Sequence, residues 1–154
     1  MDKYLEIRKY DVQDRNKLID ILHMNIPKYF AQSEVADFTE YLDQEMETYF
    51  VALVNGQIIG GGGVGFSDDE RTGFLSWSFL NPKYHGFGFG KNLLHYRIDF
   101  LYTHHQVEKI EVGTSQFTFG FYKKNGFILR EIHKDYWAEG FDLYDMVHAR
   151  EQYH

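Results

Sequence analysis

The sequence predicts an α/β domain: a mixed, largely antiparallel central sheet of about seven strands flanked by about four helices. Three observations carry this reading. Short apolar runs recur along the chain and are interleaved with stretches at helical spacing, in the order β-α-α-β-β-β-α-β-α-β-β. Asn55-Gly56 between two apolar runs marks a hairpin and therefore antiparallel neighbours. A helix lying between two later strands implies a parallel pair within the same sheet. No repeat, linker or low-complexity tract divides the chain, so residues 1–154 read as one domain, long enough to bury a core.

The elements follow in order. Tyr4 to Tyr10 alternates and reads as a first strand. Asp11 is placed to cap a helix carrying Val12, Leu18, Ile19 and Leu22, with Pro27 closing its trailing turn. Ser33 is placed to cap a second helix, with Val35, Phe38, Leu42 and Met46 at helical spacing. Tyr49 to Val54 and the return from Gln57 form the hairpin. The return strand runs into Gly60 to Gly63; no helix begins after them, so they read as a strand with a bulge or close backbone packing. Residues 67–70 turn, and Arg71 to Leu80 is the next strand. A helix runs from about Gly88 to His104 with Phe89, Leu93, Leu94, Ile98 and Leu101 on its apolar face. Lys109 to Val112 is a short strand. Ser115 is placed to cap a helix through Lys124, which Asn125-Gly126 ends. Residues 127–136 and 141–149 form a final antiparallel pair.

Composition narrows the function. Apolar residues make up 44% and aromatics 18%, which excludes a disordered chain. There is no cysteine, so disulfides, thiolate metal sites and a cysteine nucleophile are excluded. His104-His105 lacks the further ligands a metal site needs, and no metal is expected. No apolar run reaches membrane-spanning length and the N-terminus has no apolar signal core, so the expectation is a cytoplasmic protein with no membrane partner. The net charge of −7, from 16 basic and 23 acidic residues, argues against nucleic acid. It either favours the approach of a cationic substrate or serves solubility alone.

The segment Asn81 to Leu94 concentrates the chemistry. Gly86, Gly88 and Gly90 stand at every second position between a strand and a helix. Such a turn lets backbone approach a ligand, and the unpaired first-turn amides of the helix favour a phosphate or pyrophosphate. A P-loop fails, because His85 stands at its first glycine and Asn92 follows the lysine. A dinucleotide fingerprint fails too, because its third glycine would fall on Lys91 or Leu93. What remains is a G-x-G-x-G turn that either holds a phosphate or serves helix entry alone.

Two motifs in sequence resolve more. Residues 79–91, Phe-Leu-Asn-Pro-Lys-Tyr-His-Gly-Phe-Gly-Phe-Gly-Lys, resemble the acetyl-CoA signature of the GNAT N-acetyltransferases, (Arg/Gln)-x-x-Gly-x-(Gly/Ala), with His85 in place of Arg or Gln and with Gly88 and Gly90 matching. Residues 115–127 resemble the family's second motif, Asn-x-x-Ala-x-x-x-Tyr-x-x-x-Gly-Phe. Tyr122, Gly126 and Phe127 match, while Ser115 and Thr118 replace Asn and Ala. The element order fits across nearly the whole chain.

The resemblance implies an acetyl-CoA-dependent N-acetyltransferase acting on a primary amine of a small molecule or peptide, as a monomer or homodimer. It implies that Ser78, Phe79 and Leu80 pair with the pantetheine arm, and that His85, Gly86, Phe87, Gly88, Phe89, Gly90 and Lys91 hold the pyrophosphate, with Ser115 also on the cofactor. Tyr122 is the implied proton donor to the leaving thiolate; a free phenol, with a pKa of about 10, stays protonated at neutral pH. It also implies that the region between the first two helices walls the acceptor site, although Tyr29, Phe30, Phe38 and Tyr41 read at least as well as packing residues. Many family members carry a glutamate base on the strand before the glycine turn. Here that place falls at or near Phe74, and residues 71–80 contain no acid. Glu111, His133, His148 or a water chain are the remaining candidates for the base. The absent glutamate leaves a second function open, a non-catalytic acyl-CoA-binding or regulatory module.

Overall fold

The computed structural model describes residues 4–153; the remaining ends of the expected 1–154 domain lie outside that range. The elements are β1 (Leu5–Lys9), α1 (Arg15–Met24), α2 (Glu34–Glu40), β2 (Thr48–Val54), β3 (Gln57–Phe66), β4 (Thr72–Leu80), α3 (Phe89–Tyr102), β5 (Lys109–Thr114), α4 (Phe119–Lys124), β6 (Ile128–Ala138) and β7 (Phe141–Ala149). They form one seven-stranded sheet in the order β1-β2-β3-β4-β5-β7-β6. Only β4 and β5 run parallel; every other pairing is antiparallel. The predicted fold class and element order are those observed.

β2 shows why the sheet is sandwiched. Side chains alternate faces along a strand. Phe50, Ala52 and Val54 join a core with Leu93, Leu94, Ile98 and Leu101 of α3. Tyr49, Val51 and Leu53 join the opposite core, with Leu18, Ile21 and Leu22 of α1 and Phe38 of α2. A strand buried on both faces reads as a continuous apolar run, and this one does.

The four consecutive glycines of β3, Gly60 to Gly63, are packing residues. A Cβ on Gly61 would lie 2.5 Å from the Tyr49 ring and 2.6 Å from the Phe50 carbonyl oxygen. One on Gly62 would lie 2.5 Å from the Arg97 guanidinium carbon, and one on Gly63 would meet Tyr41 and Ser76. The register also slips here. Gly61 faces Phe79 and Gly63 faces Ser76, so Trp77 and Ser78 together oppose Gly62. This is a β-bulge on β4, and Trp77 takes a φ of 48°, unusual for a bulky residue.

Local details differ from expectation. Asp11 caps a short 3-10 turn over Val12–Asp14 that leads into α1, and Val12 is 72% exposed rather than on the apolar face. Ser33 precedes α2 but makes no capping bond; the Glu34 carboxylate accepts the Ala31 amide at 2.8 Å instead. α4 begins at Phe119, later than Ser115, because Ser115 to Thr118 form a turn in which the Ser115 hydroxyl accepts the Phe117 amide.

Candidate active site

β4 and β5 pair only from Thr72–Lys109 to Leu75–Val112. Beyond that point the bulge bends β4 away, and the strands diverge around a cleft of about 770 Å³. Leu75 and Val112, the last pair of the two strands, line it with Leu93 and Arg97 of α3. Ser76 to Leu80 form one wall, and Gly113 to Ser115 with Thr118 and Tyr122 the other. Gly86, Gly88, Gly90 and Lys91 line the cleft from the start of α3; Asn25, Tyr29, Phe30 and Glu34 line it from the α1–α2 side.

The wall on β4 is an unpaired strand edge. The Asn81 amide donates to Ile59 of β3 at 2.6 Å. Neighbouring residues of an extended strand turn their backbone groups to opposite sides, so Leu80 and Ser78 turn theirs into the cleft. The Leu80 carbonyl already accepts from the buried Asn25 amide at 3.0 Å. The Ser78 hydroxyl is buried with no partner among the described residues. On the facing wall the Thr114 carbonyl accepts the Trp137 indole N–H at 3.0 Å.

The glycine turn is open to a ligand. Gly88 is the N-cap of α3 with φ 83°, and Gly86 has φ 85°; a Cβ at either would meet nothing within 4 Å. The first helical bond of α3 runs from the Asn92 amide to the Gly88 carbonyl. The earlier amides of Phe89, Gly90 and Lys91 therefore have no partner within the helix and carry its positive dipole end. Lys91 and Lys124 add charge to the cleft lining. His85 packs its ring edge-on to Tyr29 at 5.5 Å. Burial lowers its pKa and Lys28 adds to this, against its bond to the Leu80 carbonyl.

These residues fit a strand-like amide arm ending in a pyrophosphate. An unpaired strand edge offers backbone groups to the arm, and a helix N-terminus beside lysines offers charge to the phosphates. Two expected contacts are revised. The Phe89 side chain is 5% exposed and belongs to the α3-side core, so only its backbone faces the turn. Phe87 is 54% exposed and stacks on Phe89 outside the cleft lining.

Tyr122 is 5% exposed, lines the cleft and belongs to the α3-side core. Arg97 lines the same cleft. Arg97 is 1% exposed, with Nη1 donating to the Gly63 carbonyl at 3.2 Å and Nε without a partner among the described residues. Burial lowers the pKa of its guanidinium, and the phenols of Tyr122, Tyr49 and Tyr41 oppose that.

None of the three side chains expected as bases lines the cleft. Glu111 turns to the other side of β5 from Ile110 and Val112, where its carboxylate binds Arg130 at 2.9 Å and Lys109 at 3.5 Å. His133 pairs with Glu131 at 3.0 Å on the exposed strand β6. His148 is buried against Tyr102, whose hydroxyl lies 2.8 Å from Nδ1. Sequence reasoning missed Glu34, Asn25, Trp77 and Arg97 as cleft residues. Only Arg97 left a signal: it sits between Leu93 and Leu101 at i+4 spacing, a charge on an apolar stripe.

The fold has close structural counterparts. An aminoglycoside 6'-N-acetyltransferase complexed with coenzyme A superposes with a TM-score of 0.75 at 13% identity, over 94% of this chain and 96% of that one. A spermidine N-acetyltransferase from Vibrio cholerae, in complex with CoA and spermine, gives 0.73 at 16%, over 97% of each chain. A GNAT-family acetyltransferase from Streptococcus pneumoniae gives 0.69 at 19%, over 95% of this chain and 99% of that one. No curated protein matches the chain in sequence. The model of the Acetyltransferase (GNAT) family matches residues 16–127, most of the chain. With the splayed strands and the glycine turn in their expected places, the chain belongs to the GNAT acetyltransferase family.

Proposed function

We propose that this protein transfers the acetyl group of acetyl-CoA directly to a primary amine of a small molecule or peptide, with Tyr122 as the proton donor to the departing sulfur. The observation that supports this most is the single cleft that joins an open strand edge, a helix N-terminus fringed by lysines and a buried tyrosine. The amine nitrogen attacks the thioester carbonyl carbon, the C–S bond breaks, the Tyr122 hydroxyl gives its proton to the sulfur, and the proton the nitrogen loses restores Tyr122 through solvent. A backbone N–H on the β4 wall is placed to stabilise charge on the carbonyl oxygen. Ser78, Leu80, the Gly86–Lys91 turn and Ser115 hold the cofactor in this reading. CoA complexes of two structural neighbours are consistent with it.

The test is thiol release from acetyl-CoA with a panel of polyamines, amino acids, aminoglycosides and short peptides. Tyr122→Phe should lower turnover by about 10²–10⁴-fold with acetyl-CoA affinity nearly kept. Full turnover in that variant would make Tyr122 a packing residue. Acetyl-CoA binding with no release for any amine would favour a non-catalytic binding module.

A further inference from the structure

Among the described residues, Glu34 is the only carboxylate that lines the cleft. It is 6% exposed, and among the described residues its carboxylate makes no ion pair. Its one recorded hydrogen bond is to the Ala31 amide, through Oε2. A buried carboxylate without a cation is costly. The same cleft is lined by Tyr29, Phe30 and Trp77, with Phe30 stacked on Trp77 at 6.3 Å. A carboxylate and aromatic faces lining one cleft are the chemistry that holds an ammonium ion.

Its position relative to Tyr122 adds a second argument. Phe30, Trp77 and Phe79 pack with the α1–α2 core, whereas Tyr122 packs with the α3 core. The cleft therefore runs through the opening in the sheet. It presents Glu34 from one face and Tyr122 from the other.

Resting on the acetyl-transfer reading above, we propose that Glu34 selects cationic aliphatic amines and is the base that deprotonates them. One proton passes from the ammonium to a Glu34 oxygen, and the freed lone pair attacks the thioester carbon. As the C–S bond breaks, Tyr122 protonates the sulfur. The nitrogen's second proton returns to Tyr122 through solvent as the amide forms. Glu34 releases the first proton to solvent, so each turnover yields amide, free thiol and one proton.

Glu34 has to be ionised to act, so kcat/KM falls as pH drops through its pKa, which burial raises against the hydrogen bond from the Ala31 amide, with Asp37 raising it further. The other titratable or charged groups lining the cleft are Tyr29, Tyr84 and His85, Lys91 and Arg97 of α3, and Tyr122 and Lys124 of α4. A carboxyl whose pKa is raised by folding favours the fold while protonated and loses that advantage as pH rises. Removing its charge therefore does not weaken the fold at neutral pH.

Glu34→Gln is the test, because the amide oxygen still accepts the Ala31 N–H. The probes are 1,4-diaminobutane, a dication, and aniline, which is uncharged at neutral pH. Expected are unchanged acetyl-CoA affinity by calorimetry and a melting temperature no lower than wild type. For the diamine, kcat/KM should fall by about 10²–10⁴-fold and its acid limb should flatten. For aniline the loss should be under about tenfold, since no proton has to leave before attack. Retained diamine activity, equal losses for both amines, or a lowered melting temperature would overturn the proposal. So would a wild type that binds acetyl-CoA yet leaves the diamine unmodified. A wild type that does not bind acetyl-CoA would instead sink the acetyl-transfer reading itself.

Discussion

Asp14 shows how one side chain ties the entry of the chain to its first helix. Arg8 of β1 donates to both carboxylate oxygens, at 2.8 and 3.0 Å, and the Asp11 amide donates at 2.9 Å. Asp14 is 4% exposed, so these bonds replace water almost completely. They hold its pKa below the usual carboxylate range, the Arg8 bond most of all, against the desolvation that opposes it. A carboxylate depressed in the folded state stabilises the fold above its unfolded pKa of about 3.9 and loses that contribution as pH falls through the folded value. Asp14→Asn should therefore cost about 1.5–3 kcal/mol at neutral pH, the usual worth of hydrogen bonds to a charged group. The gap between variant and wild type should close on acidification, as pH falls through the lowered folded-state pKa. Urea titrations at pH 7 and in acid would measure both; a gap independent of pH would mean that Asp14 acts by shape rather than charge.

Among elements, β3 has the sharpest sequence constraint. Its glycines are interchangeable in composition but not in place. At Gly61 a methyl group meets the Phe50 carbonyl oxygen and the ring of Tyr49, itself 1% exposed, and neither can retreat. At Gly65 the nearest atom is the Glu47 carboxylate at 3.2 Å, the end of a flexible, exposed side chain. Gly61→Ala should lose about 1–3 kcal/mol, as overpacked cores do. Gly65→Ala should stay within about 0.5 kcal/mol of wild type. Similar denaturation midpoints for the two would show that the run is not set by packing.

The same element marks the limit of what is legible in the sequence. Periodicity finds β2, β3 and α3, because burial on one or both faces writes itself into the order of apolar residues. The glycine turn and Tyr122 are legible because a ligand-facing backbone needs particular residues at fixed spacing. The bulge at Trp77 is not, since a large aromatic gives no sign of a left-handed backbone. Glu34 is invisible for a similar reason. A glutamate in the first turn of a helix normally faces solvent, and only the return of the Tyr29–Ser33 segment over it makes it a cleft residue.

At the scale of the molecule, the sheet is two antiparallel units, β1 to β4 and β5 to β7, joined by the short parallel pairing from Thr72 to Leu75. Past Leu75 each unit presents an edge without a strand partner from the other. In the acetyl-transfer reading the pantetheine arm takes that place, so binding closes the gap while the phosphates dock on α3. CoA should then raise the melting temperature by mass action, about 2.7 kcal/mol of stabilisation at a hundredfold excess over Kd. It should also slow amide exchange at two separate places, Ser78 and Leu80 on the open edge and Phe89 to Lys91 on the turn. A nucleotide without the arm, such as ATP, should protect the turn alone and stabilise less. Exchange measured by mass spectrometry with each ligand separates the two effects. Protection of the turn by both ligands, with Ser78 and Leu80 exchanging freely under CoA, would mean that the splayed strands are not where the arm lies.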